Sequence, residues 1–377
     1  MEQRFGTMEG VVSGSWLEAM YRGRRVLVTG HTGFKGSWLC EWLLAMGAIV
    51  RGFSLPPPTK PSLFEQLGLA NRLDDQVIAD IREPGAIAAA IGEFQPDYVF
   101  HLAAQPLVRA SYQIPVETFQ TNVIGTCLVL DAVRLAGRAC SVVIATTDKC
   151  YENQGQGRAF TEADRLGGHD PYSASKAAAE LIVASYRDSF FSGPSSGIFV
   201  ASARAGNVIG GGDWSEDRIV PDAVRALAES RPIPVRNPGS VRPWQHVLEP
   251  LAGYLVLGAR LTERAEFRSA FNFGPQGDSQ RTVQDLVEGI LRVWPGSWVN
   301  ESPAVAPHEA AHLTLSTRKA EEHLSWKPVW AFDETIRETI AWYRQPASQA
   351  GPFTRGQITR FTEAAAAKGL PWAQQNS

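Results

Sequence analysis

The stretch Arg25-Val26-Leu27-Val28-Thr29-Gly30-His31-Thr32-Gly33-Phe34-Lys35-Gly36 decides the fold. Its first five residues form a short apolar run that reads as a buried strand. Three glycines then follow at G-x-x-G-x-x-G spacing. Behind them Trp38, Leu39, Trp42, Leu43 and Met46 repeat at helical intervals up to Gly47. Strand, glycine turn and helix in that order make a phosphate cradle. The glycines allow a tight turn and bring backbone amides close to a pyrophosphate, while the helix N-terminus adds partial positive charge. A plain glycine-rich turn is the competing reading, and the strand–turn–helix context weighs against it. Gly30, Thr32, Gly33, Phe34, Lys35 and Gly36 are the expected cradle residues.

Outward from the cradle, short apolar runs at 48–53, 77–79, 97–102, 141–146 and 198–203 alternate with helical patterns. That rhythm predicts an α/β fold with a doubly wound parallel (Rossmann) sheet. Asp170-Pro171, a good N-cap followed by proline at the first helical position, opens a helix expected to run to about Phe190. After Arg204 the alternation gives way to Gly-, Asp- and Pro-rich stretches such as Gly210-Gly211-Gly212-Asp213. Residues 20–204 are therefore expected to form the dinucleotide-binding domain, with elements from the second half returning to its sheet. Residues 205–345 are expected to form mainly a smaller, C-terminal substrate-binding lobe. Residues 1–19 and 346–377 are expected to be peripheral, the polar tail after Ala347 being loosely attached.

Composition limits the partners. With 377 residues the chain is long enough for a large core and a second lobe. A net charge of −3 argues against an electrostatic grip on nucleic acid or an anionic membrane. No run approaches the roughly 18 apolar residues of a membrane span, and Met1 to Met20 lack the apolar core of a secretion signal. The four cysteines show no paired spacing, which fits a reducing cytoplasm.

Two clusters carry acid–base chemistry. Tyr172 and Lys176, four residues apart on one helix, face the same way. A nearby ammonium favours the phenolate, so this spacing predicts a Tyr172 pKa drawn down by Lys176. Such a phenol takes a proton from a hydroxyl whose carbon gives up a hydride, while Lys176 also holds cofactor ribose hydroxyls. The fifth expected strand ends in Thr147-Asp148-Lys149, where ligands of open α/β sheets sit. A hydroxyl, a carboxyl and an amine together exceed what alcohol oxidation requires. Cofactor choice stays open between NAD and NADP: 50–54 holds no acid for a ribose 2′-hydroxyl, and Arg51 or Lys60 would suit a 2′-phosphate.

Six blocks together resemble the CDP-glucose 4,6-dehydratases of the extended short-chain dehydrogenase/reductase family. They are Val28 to Leu39, His101-Leu102-Ala103-Ala104-Gln105, Thr121 to Thr126, Thr147-Asp148-Lys149-Cys150-Tyr151 with Tyr172 to Lys176, Arg204 to Trp214, and Arg242 to Leu251. The resemblance implies a lyase that uses tightly held NAD as a transient redox partner, needs no metal and acts on a nucleotide sugar. Tyr172 would take the C4-hydroxyl proton with help from Thr147 and Lys176, and Asp148 would protonate the departing C6 hydroxyl. Lys149 stands where the related dTDP-glucose dehydratases carry Glu, so it would remove the C5 proton, provided burial and nearby cations such as Lys176 keep it neutral. Asp80 and Ile81 would meet the adenosine; Leu102, Ala103, Ala104, Gln105 and Asn122 would line the cofactor; Asn207, Arg218 and Arg242 would hold the substrate diphosphate. His101 and His246 would be structural. The resemblance further implies a homodimer or higher homo-oligomer, paired through a helix near 116–136 and the Tyr172 helix, in deoxysugar and polysaccharide biosynthesis. A sugar-nucleotide 4-epimerase or 4-reductase would need Tyr172 and Lys176 but no Asp-Lys pair beside Thr147. A non-catalytic dinucleotide sensor would be expected to lack Tyr172 or Lys176.

Overall fold

The computed structural model describes residues 14–155, 157–193, 196–302 and 313–375. Its centre is a seven-stranded parallel sheet built from β1 (Arg25–Thr29), β2 (Ile49–Ser54), β3 (Asp75–Ile78), β4 (Tyr98–His101), β5 (Cys140–Ala145), β6 (Ile198–Ala205) and an edge strand, Ala270–Phe273. The spatial order is β3-β2-β1-β4-β5-β6 and then Ala270–Phe273, so the chain reverses direction across the sheet between β1 and β4. The edge strand is the return to the main sheet expected of the second half.

Alternate residues of each strand enter different cores, as a sheet covered on both faces requires. Val26 and Val28, Tyr98 and Phe100, Val143, and Ala201 and Ala203 pack on one face. Leu27, Val99, Val142, Ile144, Ile198 and Val200 pack on the other. The first face is covered by the helices Phe34–Ala45 and Leu248–Arg260, the second by Pro84–Phe94, Gly125–Ala136 and Pro171–Phe190. Ala201 and Ala203 are small because Leu248–Arg260 lies close over them; its residues from Leu248 to Ala259 are all buried.

The glycine turn is shaped by close approach. Gly30 has φ of 75°, and a Cβ there would meet the Ala103 nitrogen at 2.8 Å. A Cβ on Gly36 would meet the Gly30 carbonyl oxygen at 2.0 Å. The first glycine thus lets β1 and β4 end side by side, and the last lets the helix start tight against the turn.

Near both termini the described residues pack against the body of the fold, while 1–13 and 376–377 lie outside the described residues. The tail after Ala347 is no loose appendage: Ala350–Ala367 is a helix that buries Thr354, Ile358, Phe361 and Ala365, one face at 3–4 residue spacing. Phe361 meets Trp42 edge-on at 5.8 Å and stacks at 6.2 Å with Trp372, which is itself fully buried. Arg355 Nη1 bonds the buried carboxylate of Glu41 at 3.1 Å. Before β1, the helix Trp16–Tyr21 buries Leu17 and Tyr21, and the Trp16 amide donates to the Gln374 carbonyl at 3.0 Å. The stripe escapes a hydropathy reading because Thr354, Gln357 and Gly351 interrupt it, yet these residues too are buried. Among the described residues no helix is long and apolar enough to cross a membrane.

Phe361→Ala therefore costs about 3–5 kcal/mol of unfolding free energy, seen in urea denaturation as a lower midpoint at unchanged slope. A tail that merely decorated the surface would leave the midpoint in place.

Candidate active site

A cavity of about 890 Å³ opens at the carboxyl ends of the strands, where the chain reverses between β1 and β4. Gly30, Thr32, Gly33, Phe34, Lys35 and Gly36 line it, as do Asp80, Ile81, Leu102, Ala103 and Ala104. Thr32 Oγ1 bonds Ser54 Oγ and donates to the Leu55 carbonyl, both at 2.9 Å, tying the cradle to the end of β2. Asp80 is gripped by Arg82 at 2.6 Å, and these hydrogen bonds hold its carboxyl below the usual range. The glycine turn, the helix start and the free wall between β1 and β4 fit a dinucleotide. Arg51 and Lys60 do not line the cavity, and Arg51 is engaged by Asp74 and Asp75 at 3.7 and 3.4 Å. Neither is placed for a 2′-phosphate.

At the end of β4 the expected cofactor residues divide. Thr29 Oγ1 bonds His101 Nδ1 at 2.7 Å and accepts the amides of Leu102 and Ala103 at 3.2 Å, so this wall is locked to β1. Gln105 and Asn122, expected at the cofactor, are not on the cavity wall. Asn122 is buried in a π-helical turn, Gln120–Ile124; it accepts the Gln105 amide at 2.8 Å and donates to Ser175 Oγ at 2.9 Å. Its amide groups are spent bracing the loop after β4 against the Tyr172 helix.

Thr147, Asp148, Lys149, Tyr172 and Lys176 all line the cavity. Asp170 caps the helix Pro171–Phe190 by accepting the Ser173 amide at 2.9 Å, and this presents Tyr172 and Lys176 from the first two turns. Thr147 Oγ1 donates to Asp148 Oδ1 at 3.0 Å, and Tyr172 lines the same cavity. Lys149 Nζ donates to Asp148 Oδ1 and to Asn207 Oδ1, each at 3.1 Å. Gly206 makes room: a Cβ there would touch Asp148 Oδ2 at 2.8 Å.

Two electrostatic expectations are corrected. Burial pushes the Tyr172 phenol up, and the cation that chiefly opposes this is Lys149, not Lys176. Lys176 Nζ turns to the Ala145 carbonyl at 3.3 Å; burial draws it down to about 8, against the pull of Glu180 one turn on. Lys149 is not neutralised. Burial alone would lower it, but Asp148 and Tyr172 outweigh burial and raise its ammonium above the ordinary value. The sequence names these neighbours but not which of them touch.

On the substrate side Asn207, Arg218 and Arg242 line the cavity, with Arg218 paired to buried Asp213 at 2.7 Å. Sequence reasoning missed several lining residues: Ser54, Arg109, His169 and Arg236. Asp217 bridges Arg109 at 3.4 Å and Arg236 at 2.6 Å. None of these lies in a recognisable block. Tyr254, whose hydroxyl accepts from Lys35 Nζ at 3.2 Å, sits within an apolar helix that reads as plain core.

A cradle for a dinucleotide beside a phenol, two amines and a carboxyl defines a nicotinamide-dependent enzyme that moves hydride and protons on one substrate. Comparison with known proteins gives the family. The model of the NAD dependent epimerase/dehydratase family matches residues 26–272. The CDP-glucose 4,6-dehydratase of Salmonella typhimurium is 47% identical over 331 residues, 86% of this chain and 91% of that one. The Streptomyces venezuelae dTDP-glucose 4,6-dehydratase DesIV, solved with NAD, is 26% identical with a TM-score of 0.73, covering 87% of this chain and 99% of that one. The Thermus thermophilus UDP-glucose 4-epimerase in complex with NAD is likewise 26% identical, with a TM-score of 0.71 and coverage of 85% and 99%. The chain belongs to the NAD dependent epimerase/dehydratase family.

His101 and His246 support the site without facing it. Both are buried, and burial draws each down to about 3. The unfolded chain takes up these protons near pH 6.5 and the folded chain does not, so stability is full above pH 6.5 and falls as pH drops toward 3. Each histidine contributes a slope of about 1.4 kcal/mol per pH unit in that window. Urea unfolding from pH 7 to 5 checks this: His246→Gln has a shallower loss than the wild type, and parallel curves refute it.

Proposed function

We propose that this chain catalyses the NAD-dependent, redox-neutral dehydration of CDP-glucose to CDP-4-keto-6-deoxyglucose, a step of deoxysugar biosynthesis. The observation that carries this is the Thr147–Asp148–Lys149 cluster hydrogen-bonded beside Tyr172 in one cavity. An epimerase needs the phenol but not the acid. The 47% identical relative bears the name of this activity, and NAD is favoured over NADP because Arg51 is engaged elsewhere. Four free cysteines fit a reducing cytoplasm.

NAD, when bound, supplies a reversible hydride acceptor. Gly30, Gly33 and Gly36 would hold its diphosphate through the turn, with Asp80 and Ile81 toward the adenosine. Tyr172 takes the proton of the C4 hydroxyl as its own phenol proton passes on toward Thr147 and Asp148, while Thr147 bonds the same oxygen. Thr147, which donates to Asp148, gives a route by which a proton reaches Asp148 and leaves with the C6 hydroxyl as water. Lys176 steadies the phenol helix and the ribose. Lys149, as an ammonium, orients Asp148 and Asn207. Arg218 and Arg242 present planar forks suited to the substrate diphosphate.

Tyr172→Phe lowers turnover by about 10²–10⁴-fold and leaves no reduced nicotinamide. Asp148→Asn still oxidises C4, so reduced nicotinamide builds up in single turnover while the alkali-absorbing keto product lags. Full dehydration by Asp148→Asn rules out its acid role.

The assembly proposed is a homodimer. Val116, Ile124 and Leu181 are 68%, 52% and 61% exposed, an apolar surface on the helices 115–136 and Pro171–Phe190. A second copy covers it in a four-helix arrangement. Light scattering gives twice the chain mass, and Val116→Lys with Leu181→Lys gives monomers; a monomeric wild type overturns this.

A further inference from the structure

Three lysines share the reaction cavity, and their partners differ. Lys149 is held by Asp148 and Asn207, and Lys176 by the Ala145 carbonyl. Lys35, in the first turn of the helix Phe34–Ala45, meets a neutral group: its Nζ donates to the phenol oxygen of Tyr254 at 3.2 Å. Tyr254 is fully buried, and burial with the nearby Tyr172 and Asp148 holds its phenol protonated above the usual range. Among the described residues no carboxylate pairs with Lys35.

The charged groups acting on Lys35 come from several elements. Arg218, Lys176 and Lys149 repel its charge, and Asp148 attracts it. Burial is the largest influence, and together these draw the amine down to about 7. Elimination needs a proton acceptor at C5, and Lys149 is the wrong protonation state for that task.

We propose that Lys35 is a further catalytic residue: its amine, positioned by Tyr254, accepts the C5 proton during elimination and returns it afterwards. This rests on the dehydration proposed for the site. In the step the C5–H bond breaks and the proton passes to Lys35 Nζ. The electron pair forms C5=C6 as the C6–O bond breaks, and the hydroxyl departs as water with the proton from Asp148. When hydride returns to C6, the Lys35 ammonium returns its proton to C5.

The test compares wild type with Lys35→Met, which removes the amine and leaves an apolar side chain of similar length at the cavity wall. Each full-length protein is mixed with NAD and CDP-glucose in D2O. Three quantities are followed: reduced nicotinamide by absorbance, product by mass, and deuterium at C5. NAD affinity is measured separately by quenching of tryptophan fluorescence. Lys35→Met binds NAD within a few-fold of wild type, accumulates reduced nicotinamide, and forms product about 10²-fold or more slowly. Equal product rates in both proteins overturn the assignment, as does a loss confined to NAD affinity, which makes Lys35 a phosphate ligand. Accumulation of reduced nicotinamide by Lys149→Met but not by Lys35→Met returns the base to Lys149. A wild type that forms no product sinks the dehydration itself. In that case Lys35 is judged on ¹⁵N-lysine titration of the ligand-free protein, where a midpoint near 10 also refutes the amine's role.

Discussion

The close contact between the cradle and the end of β4 governs this molecule. Gly30 lies so near the Ala103 amide that no side chain fits between them. Thr29 locks the same junction by accepting two amides and bonding His101. Because β1 and β4 are held together here while the chain turns away on either side, a crevice opens above them. The residues of the cavity are placed by that junction: the cradle from β1, the Thr147 cluster from β5 and the phenol helix that follows it.

The chemistry depends on charges that the fold keeps in unequal company. One carboxylate, Asp148, lies among the three lysine amines of the cavity, and each amine has different neighbours. The lysine tied to the acid stays charged, whereas those meeting a phenol or a carbonyl are drawn down by burial. A single cavity can therefore hold both an ammonium and an amine at neutral pH. Identical side chains acquire separate roles from the atoms placed against them.

The sheet was legible in the sequence because its strands, buried on both faces, read as short continuous apolar runs, and all six expected strands lie within about two residues of their observed bounds. The cradle and the Thr147, Tyr172 and Lys176 cluster were legible as well, since local spacing sets the turn and the helix face. The C-terminal helix was not: its buried face carries Thr354 and Gln357, whose polarity hides a stripe that tertiary contacts complete. Asn122 and Gln105 were implied as cofactor residues by the family resemblance alone, yet their amides turn to each other. The state of Lys149 was beyond reach too. It depends on a 3.1 Å contact with its sequence neighbour, and spacing cannot tell whether adjacent side chains converge.

The two-faced sheet also constrains how such a chain can evolve. A single-residue insertion or deletion within β6 would trade Ala201 and Ala203 for their bulkier neighbours under the helix Leu248–Arg260, a swap that the packing there forbids. Changes in strand length are thus restricted in parity, and descent is channelled into the loops beyond the strand ends. Those loops carry the reactive groups. A lineage can exchange one chemistry for another at the rim while the sheet beneath it stays fixed.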